Sequence, residues 1–241
     1  MRQAPDITVQ GAHHIQGVRL FGPVDLHIPA GKWTCVLGRS GVGKSTLLRL
    51  IAGLSCAGQF DGVITAHDGA DLAGRVSYMA QSDLLLPWLS VLDNTVIGAR
   101  LRGQAPDLPR AKALLARVGL AEHLRKKPGA LSGGMRQRAA LARTLMEDRP
   151  IALLDEPFSA LDASTRADMQ ELAAAQLGGK TVLLVTHDPA EAVRLGHQIV
   201  VLSSGHAQFW RVPETPPVRD QYAPETAQCQ AGLLAHLRAM T

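Results

Sequence analysis

Residues 33–54 read WTCVLGRSGVGKSTLLRLIAGL, and this stretch decides the fold. Trp33–Leu37 is a short apolar run of the kind that forms a strand buried on both faces. From Lys44 to Ala52, the apolar positions Leu47, Leu48 and Ile51 share one helical face, and Gly53 can end the helix. Between them lies GRSGVGKS, Gly38 to Ser45, with the spacing of a phosphate-binding loop in the strand–loop–helix setting that such a loop requires. Gly38, Gly41 and Gly43 let the backbone turn tightly and aim its N–H groups at phosphate oxygens. The helix N-terminus adds partial positive charge. Lys44 supplies a mobile full charge for the β- and γ-phosphates, and the Ser45 hydroxyl can ligate Mg²⁺. Arg39 also reads as a solvated loop charge.

Outward from the loop, three further apolar runs bounded by turn signals read as core strands: Ile151–Leu154, Thr181–Val185 and Ile199–Leu202. Helical periodicity recurs in Arg110–Val118, Met135–Met146 and Ala163–Ala175, and again after His187. There, Asp188 as N-cap, Pro189 at the first position and Glu191 at the third are start signals. The expected architecture is α/β, a P-loop NTPase (RecA-like) core built on a parallel sheet covered by helices. Residues 82–149 show several helices and no convincing strand, which predicts an inserted α-helical subdomain. Residues 1–81 and 150–212 would then form the core. After Val212, Pro213, Pro216, Pro217 and Pro224 mark a linker, so 213–241 reads as linker and tail. A short tail helix carrying Leu233, Leu234, Leu237 and Met240 is expected to pack on the body.

Composition agrees with this picture. The 241 residues suffice for one generous domain or a core with an insert. A hydrophobic fraction of 46% with 19% charged residues argues against disorder, and 4% aromatic content with 23 glycines argues against an all-β sandwich. The net charge of +4 suits phosphate or an acidic surface without specifying either. Cys35, Cys56 and Cys229 are too few and too irregular for a disulfide framework or a zinc site, so a reducing cytosol is expected. No apolar run approaches the ~18–20 residues of a membrane span, and MRQAPDITVQ lacks a signal-peptide core. The histidines, including His13 and His14, show no metal-ligand spacing.

Two further motifs carry chemistry. IALLDEP, Ile151 to Pro157, puts two carboxylates at the end of a buried strand. Asp155 fits the role of orienting Mg²⁺, and Glu156 that of general base toward an attacking water. LSGGMRQR, Leu131 to Arg138, heads a helix, where Ser132, Gly133 and Gly134 offer a hydroxyl and backbone N–H groups as a second phosphate-binding surface. One nucleotide has no use for two cradles in one subunit, so a second copy of the chain is expected to present it across a dimer interface.

With these motifs in order, the sequence resembles the nucleotide-binding subunits of ATP-binding-cassette (ABC) transporters, from about Ile7 to Val212. The resemblance implies ATP held by residues Gly38, Arg39, Ser40, Gly41, Val42, Gly43, Lys44, Ser45 and Thr46. It implies Mg²⁺ at Ser45, Gln81 and Asp155, and catalysis by Lys44, Gln81, Glu156 and His187. Gln81 is the glutamine of YMAQSDLLLPW, and His187 the switch histidine of LLVTHDPAEA. Ser132, Gly133, Gly134 and Gln137 would form the signature acting in trans, and Asp162 of SALD would support communication across the dimer. The wording of GRSGVGKSTLLRLIAGL, QSDLLLPWLSVLDN and LDEPFSALDASTR is similar to importer ATPases for nitrate, aliphatic sulfonates, taurine and thiamine-precursor pyrimidines.

The family thus implies a homodimer peripheral to the cytoplasmic face of the inner membrane. Separate permease subunits, and indirectly a solute-binding protein, would be its partners. Leu84–Trp88 reads either as part of a permease groove or as core. Family members stack adenine on an aromatic residue; here gapless counting lands near Ile15, with His14 and Phe21 as neighbouring substitutes. A soluble ABC ATPase acting on nucleic acid is the alternative. It is disfavoured by the compact interval between Lys44 and Ser132, and a non-catalytic regulator is disfavoured by the complete catalytic set.

Overall fold

The computed structural model describes residues 4–240. Residues 1–3 and 241, which the expected domain bounds include, lie outside the described residues. The elements run β1 (Ile7–Ile15), β2 (Val18–Ile28), β3 (Trp33–Leu37), α1 (Lys44–Ile51), β4 (Gln59–Ala66) and β5 (Val76–Met79). A helical stretch follows with α2 (Val91–Thr95), α3 (Ile97–Leu101), α4 (Leu108–Arg117), two 3₁₀ turns and α5 (Gly133–Met146). The chain then returns through β6 (Ile151–Asp155), α6 (Ala163–Gln176), β7 (Thr181–Val185), α7 (Pro189–Leu195), β8 (Gln198–Leu202), β9 (Ala207–Trp210) and α8 (Pro224–Ala239).

The larger sheet has the order β5-β6-β7-β3-β8-β9, parallel except for the antiparallel β8–β9 edge. Its inner strands β6, β7 and β3 are buried at every position because both faces are covered. Cys35 and Leu37 of β3 and Ala152 and Leu154 of β6 pack under α4–α7, whereas Val36, Ile151 and Leu153 face α1 and the smaller sheet. That smaller sheet, β2-β1-β4, is antiparallel and contributes Ile7, Val9, Leu26 and Ile28 to the second core layer. The tail is fastened. Arg219 is buried and donates to the carbonyls of Val193, Gly196 and Pro213, while Leu233 of α8 enters the main core.

This order positions the chemistry. In the row β5-β6-β7-β3, the carboxyl ends lead respectively to Gln81, to Asp155 and Glu156, to His187, and to the loop beginning at Gly38. Ligands of such sheets bind beyond the carboxyl ends of the strands.

Candidate active site

The loop between β3 and α1 is shaped by its glycines. Gly38, Gly41 and Gly43 have φ of 153°, 82° and 101°, and two of them also face close neighbours. A Cβ on Gly38 would stand 2.3 Å from the Leu202 carbonyl oxygen, and one on Gly43 would stand 2.5 Å from Phe21 Cδ1. Gly43 is also the N-cap of α1, so no side chain competes for the helix's first N–H groups. Lys44 Nζ donates to the carbonyls of Gly38 (2.7 Å) and Arg39 (2.9 Å), which pins the loop around the ammonium. Burial pushes the Lys44 pKa below its ordinary value, and the Glu156 and Asp155 carboxylates work against that shift.

Facing this loop, Asp155 is buried and its Oδ1 has no hydrogen-bond partner. Burial raises its pKa, and the Ser45 hydroxyl opposes the rise. Glu156 lies one residue on, with the left-handed φ of 49° that an L side chain rarely adopts. Its neighbours fix it there. Its N–H donates to Val185 O at 2.9 Å, and its carbonyl accepts from Gln137 Nε2 at 2.9 Å and Ser159 Oγ at 3.0 Å. The turn swings the Glu156 carboxylate between Gln81 and His187. Gln81 Nε2 donates to Oε2 at 3.4 Å, and His187 Nδ1 lies 3.2 Å from the same oxygen. A cavity of about 420 Å³ runs from the loop to Gln81 and Glu156, lined by Ser40, Gly41 and Gly43–Thr46 together with those two residues, Ile15 and Leu20; Asp155 and His187 stand outside its lining.

The geometry alone describes a phosphate cradle, a mobile cation, a buried carboxylate with a spare oxygen, and a second carboxylate braced for proton transfer. Residues 21–159 match the ABC transporter family. The chain belongs to that family and is an ABC ATPase. An uncharacterized ABC transporter ATP-binding protein of Haemophilus influenzae is 47% identical over 190 residues, 78% of each chain. An aliphatic sulfonates import ATP-binding protein of Escherichia coli is 42% identical over 224 residues, 92% of this chain and 86% of the relative. Among solved structures, a dimeric post-hydrolysis ATP-binding cassette bound to ADP and Pi superposes with a TM-score of 0.74 at 28% identity. It covers 89% of this chain and 99% of that one.

Not every residue expected in the ABC site takes part in this cavity. Ser132, Gly133, Gly134 and Asp162 do not line it. Ser132 caps α5, its Oγ accepting from Met135 N at 3.2 Å, and Asp162 caps α6, its Oδ1 accepting from Thr165 N and the Ser164 hydroxyl. Those bonds hold the Asp162 carboxyl well below the usual carboxylate range. The Arg39 guanidinium reaches Met240 O at 3.3 Å instead of turning inward.

Several expectations need correction. Gln137, expected in the trans signature, is buried, and both ends of its amide are spent within its own chain on Glu156, Ser159 and the Ala160 N–H. Phe21 cannot stack on a base, since it is fully buried beneath Gly43 with its ring stacked against His13. His14 does not line the cavity, whereas Ile15 does. Leu84 and Trp88 are 61% and 66% exposed, but Leu85 between them is core. The start signals of α7, by contrast, stand: Asp188 is its N-cap, accepting from Ala190 N at 2.8 Å, Pro189 opens the helix and Glu191 lies in its first turn.

Leu20, Arg166 and Thr186 were not singled out from the sequence. Only Leu20 carried a usable signal, because strand alternation turns it away from the side on which Phe21 is buried.

Proposed function

We propose that two copies of this ABC ATPase enclose ATP and hydrolyse it to power import of a small anionic solute, of the aliphatic sulfonate class, through separate permease subunits. The reading rests above all on Glu156, held by Gln81 and His187 beside the Lys44 loop. Lys44 neutralises charge growing on the β- and γ-phosphates. Glu156 takes the proton of the attacking water, and His187 and Gln81 fix the angle from which its carboxylate does so. The unpartnered Oδ1 of buried Asp155, close to the Ser45 hydroxyl, fits a hard cation with oxygen ligands. Ser45, Asp155 and Gln81 would hold Mg²⁺, which when bound adds positive charge beside the phosphates. The base would rest on Ile15 and Leu20 by apolar contact alone.

Across the dimer, the Ser132 hydroxyl and the Gly133 and Gly134 N–H groups would complete the γ-phosphate shell of the other copy. The exposed Leu84 and Trp88, beside Gln81, would receive the permease at the cytoplasmic membrane face. The sulfonate class is supported by the name of the 42%-identical relative. Among the described residues no helix is long and apolar enough to cross a membrane, which fits a peripheral subunit.

Glu156→Gln tests the core of this reading. The amide cannot accept the proton, so ATP binding should persist while turnover falls on the order of 10²–10⁴-fold. The variant should also accumulate as an ATP-dependent dimer by light scattering. Turnover within a few-fold of the parent chain would break the base assignment. The solute class is tested by deleting the gene and asking whether its host still grows on an alkanesulfonate as sole sulfur source.

A further inference from the structure

Beside the Glu156–His187 pair lies a small, partly open polar space of about 40 Å³, lined by those two residues with Ser159, Arg166, Thr186, Asp188 and Glu191 of α7. A water needs roughly 10–15 Å³ of such volume and two to four polar partners, so the space is large enough and polar enough to be wet. Glu191 is 5% exposed, and its Oε1 has no hydrogen-bond partner in the protein. A buried carboxyl oxygen without a partner is destabilising unless water satisfies it.

We propose that Glu191 is a positioning residue for hydrolysis: its carboxyl, with water held in this space, braces the Glu156–His187 pair. This rests on the reading of Glu156 as the base. The brace works through the short segment Thr186–Asp188, which links the end of β7 to α7 and carries His187 on its free side. Asp188 N is tied to Thr186 Oγ1 at 3.0 Å, so a shift of α7 at Glu191 reaches His187 with little slack.

The charges around Glu191 make the brace sensitive to proton binding. Facing it are Asp188 at the head of α7, Glu156 beyond β6, Arg166 of α6, the Thr186 hydroxyl beyond β7, and the Cys35 thiol of β3. His187 bounds the same space. Arg166 is the cation of the group, and its guanidinium is shared among the carbonyls of Phe158 and Leu161 and the Asp188 carboxylate at 3.9 Å. Burial, with Asp188 adding to it, pushes the Glu191 pKa up to about 8. Below that pH the group is a neutral acid that can donate toward water. Above it, a second carboxylate charge faces Glu156 and the brace loosens.

The test is steady-state ATP turnover of the full chain from pH 6 to 9.5, with kcat and KM separated, for the parent, Glu191→Gln and Glu191→Leu. The parent's kcat should fall above pH 8, approaching tenfold per pH unit. Glu191→Gln, permanently neutral and of the same shape, should keep kcat within about twofold at pH 7 and lose the alkaline fall. Glu191→Leu should lose about tenfold in kcat with KM unchanged, because the phosphate loop is untouched. An alkaline limb in Glu191→Gln identical to the parent's would overturn the proposal, as would an inactive Glu191→Gln or a Glu191→Leu with full kcat. Should the leucine variant fail to fold, the glutamine profile decides alone. Glu156→Gln run alongside separates the two readings: if it retains turnover the base assignment fails, and if it is dead while the Glu191 series behaves like the parent, only the brace fails.

Discussion

Helices α1 and α5 both open on the carboxyl side of a loop with glycine in it, yet their first turns are finished differently. At α1 the N-cap is Gly43, in a left-handed conformation with no side chain to offer, and the adjoining Lys44 adds a full charge. At α5 the N-cap is Ser132, extended, with its Oγ already accepting from Met135 N. An uncapped helix head leaves its donors to whatever anion arrives. A capped head has spent part of that capacity on itself. On the dimer reading proposed above, the contrast would let one chain carry two phosphate-binding surfaces without redundancy, the first a whole cradle and the second a lid for another copy's cradle.

The comparison breaks most visibly at Lys44. Lys44→Ala should reduce Mg²⁺-dependent phosphate release on the order of 10²–10³-fold, and turnover near the parent's, with contaminating ATPase excluded, would mean α1 is not the cradle. A smaller effect is expected at the second helix head. Ser132→Arg should lower turnover about tenfold and abolish the ATP-dependent dimer of Glu156→Gln, while binding of a fluorescent ATP analogue to the single chain stays unchanged. Ser132→Ala should cost only about 1 kcal/mol in urea unfolding, the usual value of a serine cap. An arginine variant that still dimerises would leave α5 a structural helix and nothing more. The smallest difference concerns the base. Ile15 and Leu20 offer no hydrogen bonds to tell adenine from guanine, so KM for GTP should lie within about threefold of that for ATP. A GTP preference weaker by a hundredfold would point to a base-reading residue elsewhere.

The four strands at the centre of the large sheet were legible because burial on both faces removes alternation and leaves plain apolar runs. The phosphate loop, the Asp155–Glu156 pair and His187 were legible because each sits at the end of such a run. β1, β2 and β4 were not. Their stretches ITVQGAHHI, VRLFGPVDLHI and QFDGVITA mix glycine, proline and charge, since one side of each strand is open to solvent. Gln137 was misjudged by proximity: it lies five residues beyond Ser132, but the turn of the helix points it inward, to the carbonyl of Glu156. Leu84, Leu85 and Trp88 lie on irregular backbone, with Leu84 at φ 47°, so no period announces which of them is buried. Phe21 was an arithmetic candidate for the base, and only packing reveals it as the floor beneath Gly43.

The central place of β3 governs when the molecule can come into being. Val36 lies between Val185 of β7 and Val200 of β8, so the strand that launches the phosphate loop finds both its neighbours far along the chain. A ribosome adding about 5–20 residues per second leaves β3 unpaired for on the order of ten seconds. A product truncated before β8 would lack a wall on which Gly38 rests, the carbonyl of Leu202. A chain that has not yet reached β8 therefore lacks both one partner of β3 and the contact that shapes the start of its phosphate loop.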